Sequence, residues 1–315
     1  MLAMTKEQEE SPLVVELRSL PGLRLKLAEP LARYTSMKIG GPADYFIEVE
    51  NGAVLAAVLQ LLRRFDIAVS LLGNGSNVLV SDRGVRGAVI RLAGEFKKIT
   101  WQDEGDFVRV QVGAAYAVTL FVREAARKGY AGLEFAEGIP GSVGGALVMN
   151  AGAYGSEFER VVEQVETVNP TGEPITFTRA HMTFSYRDSH LPAGTLVTRV
   201  TLRLRKANAA EVDSQLRALV GKRKSSQPAG FPNSGSMFRN PPGDYAGRLI
   251  EAAGLKGKRL GQAQIAERHA NFIVNLGGAK AKDVRQLMDL ARAEVKRQFG
   301  VELIAEVKLL GEWEE

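Results

Sequence analysis

The stretch GIPGSVGGALVMNAGAYG, Gly138–Gly155, holds six glycines in eighteen residues and no charged side chain, in a chain that is 24 % charged. Glycine lets the backbone reach left-handed conformations and approach a neighbour closely. Two physical situations ask for that. Either a ligand lies against the backbone here, or a helix packs tightly on a sheet. The stretch alone leaves both open.

A second glycine-dense segment lies upstream, LLGNGSNVLVSD, Leu71–Asp82. Two glycines, two asparagines and a serine follow an apolar run. Such a turn can aim successive amide N–H groups at one anion, with the Ser76 hydroxyl as a further donor. It can also be a tight hairpin with an Asx turn. A strand, not a helix, is expected next, so this is neither the dinucleotide fingerprint nor a Walker loop. Two such loops in one half of the chain favour a phosphate-bearing cofactor with an extended, flat body.

Around these loops, the pattern predicts helices over Ala53–Arg64 and Ala117–Lys128, the latter closed by Gly129. Strands are expected at Ile67–Leu72, VLVS, GAVIRL, FKKITW, FVRVQVGA, Val162–Val168, Ile175–Arg179 and Leu196–Leu204. Beyond a helix near Ala209–Lys222 come a loop rich in proline and glycine, a short helix at Arg248–Ala253 and a strand at HANFIVN. A long helix follows, marked by Val284, Leu287, Met288, Ala291 and Val295, then a last strand, VELIAEVKLL. Strand-rich order with interleaved helices reads as α+β rather than as a doubly wound parallel sheet. Residues 1–10 read as a loose polar tail.

Bulk chemistry narrows the function. With no cysteine there is no disulfide, thiolate nucleophile or Cys-based metal site, and three histidines without metal-ligand spacing make no metal the expectation. No apolar run approaches the roughly 20 residues that span a bilayer, and no secretory signal is recognisable, so a cytoplasmic protein without membrane partners is expected. The net charge of +5 falls entirely after Arg205. Lys222–Arg259 carries eight basic residues against Asp244 and Glu251. This is a solvated basic face or the seat of an anionic ligand. No nucleic-acid-binding motif accompanies it.

YTSMKIGGPADYF, LLGNGSNVLVSD, GLEFAEGIPGSVGGALVMNAGAYGSE, FSYRDS, NSGSMFRNP, AGRLIEAAGLKG and HANFIVN stand in this order between about Tyr34 and Gly311. Seven ordered motifs over nearly the whole chain resemble the UDP-N-acetylenolpyruvoylglucosamine reductase family, flavoproteins of peptidoglycan precursor synthesis. The resemblance implies an α+β fold with a two-part FAD-binding region of the vanillyl-alcohol-oxidase/PCMH type and a C-terminal α+β substrate-binding domain. The divisions it suggests are a lead-in over 1–30, FAD-binding subdomains over 31–98 and 99–206, and a substrate domain over 207–315. It implies FAD as cofactor, NADPH as hydride donor and UDP-N-acetylglucosamine enolpyruvate as small-molecule substrate. A monomer is expected. With no cysteine, and no histidine before His181, the FAD is expected to be non-covalent.

The same resemblance distributes roles. Tyr34, Gly73, Asn74, Gly75, Ser76 and Asn77 would hold FAD, together with Gly138, Ile139, Pro140, Gly141, Ser142, Gly144, Gly145, Asn150, Ala151 and Gly152. Tyr186, Lys222, Arg239, Asn240, Lys256 and His269 are candidates for the substrate. Ser236 would be the proton donor, Arg187 the cation that stabilises the developing enolate and carboxylate, and Glu306 the active-site glutamate. Taken singly, each has a plainer reading: a turn serine, an arginine paired with Asp188, a solvent-facing strand carboxylate. On a strand, Glu306 would share a face with Glu302, Ile304 and Lys308, away from Val301, Leu303, Ala305 and Val307.

Departures from the family pattern are Ile304 and Ala305 where Glu and Pro are usual, Arg239 where lysine is commoner, and Ala266 where serine is frequent. The short connection between Arg187 and Val197 resembles the shorter subclass, which lacks a tyrosine-bearing insertion. The competing enzyme reading is a sugar or aryl-alcohol oxidase on the same FAD scaffold. A nucleic-acid-binding or structural protein using the basic C-terminal part is the reading from another class.

Overall fold

The computed structural model describes residues 11–313. The loose tail expected over residues 1–10 lies outside them. In chain order come α1 (Pro12–Ser19), β1 (Leu23–Pro30), β2 (Pro42–Val49), α2 (Gly52–Arg64), β3 (Val69–Leu71), β4 (Val78–Val80) and β5 (Val85–Leu92). Next are β6 (Ile99–Glu104), β7 (Phe107–Gly113), α3 (Val118–Arg127), β8 (Tyr130–Ala131), α4 (Val143–Val148), β9 (Gly152–Ala153) and β10 (Ser156–Glu157). Then follow β11 (Val162–Val168), β12 (Pro174–Thr178), β13 (Leu196–Lys206), α5 (Ala209–Ser226), α6 (Ala246–Ala252), β14 (Arg259–Leu260), β15 (Ala263–Ile265), β16 (Ile273–Asn275), α7 (Ala281–Phe299) and β17 (Lys308–Leu310).

Two compact units share the chain. Among the described residues, the first takes 11–28, 45–74 and 87–221; the second takes 29–44, 75–86 and 222–313. In the first unit, β1-β2-β5-β3 form one sheet and β12-β11-β13-β7-β6 form the path of a second, with β8 beside β13. The strands of the second sheet pair antiparallel, in keeping with an α+β fold rather than a doubly wound one. Alternation explains it: Val108, Val110 and Val112 of β7 are buried while Gln111 between them is exposed. Phe121, Val122 and Ala125 of α3 are buried in the same core as these valines. Residue 98 separates the two sheets, which is the feature that supports our proposal of two FAD-binding subdomains. The proposed substrate domain over 207–315 begins just before α5, and the unit division at 221 runs through that helix.

The second unit has its own core, with Met37, Leu79, Phe238, Leu249, Ile273, Leu287 and Leu303 among its buried members. β14, β15 and β16 form an antiparallel sheet, and β4 pairs with β17 in parallel. Helix α7 opens without a side-chain cap from its own preceding residue. Instead the Asp82 carboxylate accepts from Ala281 N at 2.9 Å and Lys282 N at 3.0 Å. A chain-distant aspartate thus serves two orphan amides of the first turn.

Three local expectations are corrected. HANFIVN forms a strand only from Ile273; before it the chain turns, with Phe272 N donating to His269 O at 3.0 Å. The last strand covers Lys308–Leu310, not the whole of VELIAEVKLL. Around Glu306 the Met237 carbonyl accepts from two successive amides, Glu306 N at 2.8 Å and Val307 N at 3.4 Å, the pattern of a bulge that interrupts a regular ladder. Finally, the expected strand FKKITW begins at Ile99, because Gly94–Lys97 makes a 3-10 turn.

Candidate active site

The two glycine-dense loops meet inside the first unit. A Cβ on Gly73 would lie 2.6 Å from Ser142 Oγ. Ser142 is buried and accepts from Gly145 N at 3.3 Å, which caps α4. Gly144 packs against β7's exit: a Cβ there would lie 2.8 Å from Ala114 Cβ. For this glycine the close neighbour is the protein itself, which is the helix-on-sheet reading. Gly152 is likewise crowded by Ser156 O and Glu157 of its own hairpin. Gly138 and Gly141 have φ of 73° and 135°, and Gly145 is exposed, with only Ser142 Oγ within reach of an added Cβ. Ile139 N donates to Ala136 O, Gly141 O accepts from Val118 N, and Ala151 N donates to Ala146 O. Pro140 is exposed.

Gly73 and Asn74 end one segment of the first unit; Gly75, Ser76 and Asn77 open a segment of the second. Among the described residues, the amides of Gly73, Asn74 and Gly75 donate no backbone hydrogen bond. The first two, successive N–H groups within the first unit, suit an anion such as a pyrophosphate. Within the second unit Gly75 is irreplaceable on steric grounds. Its φ is 63°, and a Cβ would fall 2.1 Å from Tyr34 O. Tyr34, whose hydroxyl donates to Glu29 at 2.7 Å, is thereby tied to the loop. The Asn77 side chain is engaged inside the protein: its Nδ2 donates to Glu306 O at 3.1 Å.

Arg187 stands beside the glycine-rich stretch. It occupies a left-handed turn, φ 63°, closed by the Ser185–Asp188 bridge. Its guanidinium donates to Gly152 O at 3.1 Å, lies 3.7 Å from Glu157 Oε1, and sits over the Tyr186 ring at 4.7 Å. Glu157 is thus an acidic partner of Arg187, and the neighbouring Asp188 accepts from His190 N. Asn150 is fully buried. It donates to Glu157 Oε2 at 2.9 Å and to Ser185 O at 3.2 Å, and accepts from Glu159 N at 3.1 Å. It supports the Arg187 turn from within. Glu157 was missed by sequence reasoning, although it ends the motif GAYGSE.

Ser236 and Glu306 are brought together inside the second unit. Phe238 bridges Ala305, Arg239 N donates to Ile304 O at 2.9 Å, and Glu306 N donates to Met237 O. Ser236 bridges Phe272 on its other side. Asn271 is buried, and its side chain holds the Phe238 peptide from both ends, accepting from the amide at 3.0 Å and donating to the carbonyl at 2.8 Å. Gly235, just before Ser236, has φ 78° with open space on its Cβ side.

The substrate candidates divide. Lys256 pairs with Glu251 at 2.7 Å, and both charges act on His269. Burial holds the His269 imidazole below its ordinary value of 6.5, with Lys256 adding to the depression. Its Nδ1 accepts from Asn271 N at 3.2 Å, so the neutral ring carries its proton on Nε2. Asn240 Oδ1 accepts from Ala246 N at the start of α6. Lys222 stands apart on α5, and Tyr186 belongs with Arg187 in the first unit. A cavity of about 390 Å³ between β7, β13 and α5, lined by Phe107, Glu134, Arg203, Arg205 and Glu211 among others, contains none of the expected site residues. Among the described residues no cluster of three or more His, Asp or Glu could hold a metal, and no helix is long and apolar enough to cross a membrane.

Residues 43–178 match the FAD binding domain model, and residues 227–310 match the model of the UDP-N-acetylenolpyruvoylglucosamine reductase C-terminal domain. The chain is 47 % identical over 305 residues to UDP-N-acetylenolpyruvoylglucosamine reductase 2 of Symbiobacterium thermophilum, covering 96 % of this chain and 97 % of that one. It is 42 % identical over 313 residues to the Myxococcus xanthus reductase, covering 98 % and 100 %. The crystal structure of the Thermus caldophilus enzyme superimposes with a TM-score of 0.79 at 41 % identity, over 91 % of this chain and 99 % of that one. Near-complete coverage by these relatives, with both family models matching, leads to one assignment: the chain belongs to the UDP-N-acetylenolpyruvoylglucosamine reductase family of FAD-dependent oxidoreductases.

Proposed function

We propose that this protein reduces the enolpyruvyl group of UDP-N-acetylglucosamine enolpyruvate with NADPH, giving UDP-N-acetylmuramate for peptidoglycan precursor synthesis. The observation that carries the reading is the pairing of the Ser236 and Glu306 segments through Met237 and Phe238, within a unit whose sequence matches the reductase C-terminal domain. When bound, FAD supplies the hydride carrier between NADPH and the enol-ether carbon distal to the carboxylate. The amides of Gly73 and Asn74 suit its pyrophosphate, and Gly138–Gly145 offers a side-chain-poor surface for the rest. Of the glycines first assigned to the cofactor, Gly144 and Gly152 serve it indirectly, by letting the loop fold.

Hydride arrival leaves negative charge spread from the substrate's α-carbon into its carboxylate. Arg187, held by Gly152 O and Glu157, offers a planar cation for that charge. Ser236 donates the proton to the α-carbon. A hydroxyl is a weak acid, so it acts here only against a strongly basic carbon and with close positioning. Glu306, beside it in the same bulged register, accepts or returns protons at the serine or the substrate. Arg239, Lys256 and His269 Nε2–H would contact the diphosphate and sugar. A monomeric, cytoplasmic enzyme accords with a nucleotide-sugar substrate and NADPH.

Ser236→Ala tests the assignment. Bleaching of the flavin by NADPH should stay at the wild-type rate. Formation of UDP-N-acetylmuramate should drop by a factor of about 10² or more, the scale of losing one acid–base group. Turnover near wild type would remove Ser236 from the mechanism. The oxidase reading predicts instead rapid oxygen consumption with a sugar or aryl alcohol and indifference to NADPH.

A further inference from the structure

A single side chain closes on the backbone N–H and C=O of Phe238. Asn271 is 2 % exposed. Its Oδ1 accepts from Phe238 N and its Nδ2 donates to Phe238 O, at 3.0 and 2.8 Å. A side-chain amide here replaces the neighbouring strand that a buried peptide would otherwise need. The Asn271 carbonyl also accepts from Met237 N at 2.8 Å. From the opposite side, Met237 O accepts from Glu306 N, and Arg239 N reaches Ile304 O. The run Ser236–Arg239 is therefore gripped between Asn271–Phe272 and Ile304–Glu306. The same Asn271 offers its amide to His269 Nδ1 at 3.2 Å.

We propose that Asn271 is a positioning residue for the substrate-reducing step: it fixes the Ser236 hydroxyl and, through the Met237 peptide, the Glu306 backbone. The inference rests on the reading of Ser236 as proton donor. A weak acid must be placed well to act, and a misplacement of about 1 Å can cost about 10²-fold in rate. Asparagine is the chemical match because the Phe238 peptide presents a donor and an acceptor to it together. Leucine offers neither, and an ionised aspartate offers only acceptors. A protonated carboxyl, however, has one O–H donor and one acceptor, in the same shape as the amide.

That equivalence supplies the test. Pre-reduced Asn271→Asp protein is mixed with UDP-N-acetylglucosamine enolpyruvate, and flavin reoxidation is followed at a series of pH values as a ratio to wild type. Near neutral pH the ratio should be about 0.01–0.1, the scale of a misplaced reacting group. It should climb towards 1 as pH falls, because the introduced carboxyl takes up a proton and so recovers its donor. Bleaching by NADPH should match wild type throughout, and hydrogen exchange at the Phe238 amide should be faster in the variant at neutral pH only. A ratio flat with pH, or both half-reactions slowed alike, would overturn the positioning role. If Asn271→Asp fails to fold, Asn271→Ser answers the question: slow reoxidation with normal bleaching supports the proposal, and equal slowing of both steps overturns it. Ser236→Ala run alongside separates the two ideas. Normal reoxidation in that variant sinks the proton-donor reading, whereas an inert Ser236→Ala with a flat Asn271→Asp ratio sinks the positioning alone.

Discussion

His269 shows how one buried side chain can make stability depend on pH. Burial depresses its pKa, so the folded state prefers the neutral ring. The unfolded chain takes up a proton near 6.5, and the folded one takes it up at a lower pH. The associated stability is therefore complete above about 6.5 and is lost as pH falls through the folded value. The imidazole resonance of His269 should titrate with a midpoint below 6.5 in an NMR pH series. In urea melts, His269→Gln should lose less stability than wild type between pH 7.5 and 5.5. A midpoint at or above 6.5 would contradict the account. At this scale the sequence was only partly legible. Its motifs pointed to Ser236, Arg187 and Glu306, and two of these do share a register. Nothing in it showed that Asn77 and Asn150 spend their amides inside the protein, since an asparagine beside glycines looks the same whether it faces a ligand or a carbonyl.

Elements place these residues, and the cap of one helix, α7, is set by distant chain. Asp82, the last residue of LLGNGSNVLVSD, closes the first turn of α7 through Ala281 and Lys282. Asp82→Ala should destabilise the second unit by about 0.5–2 kcal/mol, the usual cost of a lost cap, read as a lower urea midpoint. An unchanged midpoint would mean that water or another group serves those amides equally well. Helices and the long strands were legible because periodicity survives wherever one face is buried. The last strand was not, because its alternation of exposure persists into an irregular segment. Leu303 and Val307 are buried, Glu302 and Ile304 exposed, yet only Lys308–Leu310 joins a strand. Alternation reports burial, and the ladder needs a partner as well. The glycines of the opening stretch teach a similar point. Gly144 is small because of Ala114, and Gly138 and Gly141 because of their backbone angles.

For the whole molecule, the sequence correctly indicated an α+β chain of the reductase family, but contiguous divisions concealed how the chain is shared. Residues 29–44 and 75–86 belong with the C-terminal part, and the loop GNGSN is where the chain passes from one unit to the other. The central claim is that this chain holds FAD non-covalently and passes reducing equivalents from NADPH to an enolpyruvyl sugar nucleotide. The visible absorption spectrum of the purified protein, recorded anaerobically before NADPH, after it, and after UDP-N-acetylglucosamine enolpyruvate, tests this in one cuvette. The account predicts a yellow protein that bleaches with NADPH and regains its colour with the sugar nucleotide. Its flavin should leave the polypeptide on denaturation. A colourless protein that takes up no FAD, or a flavin that bleaches and stays bleached when the substrate is added, would contradict it.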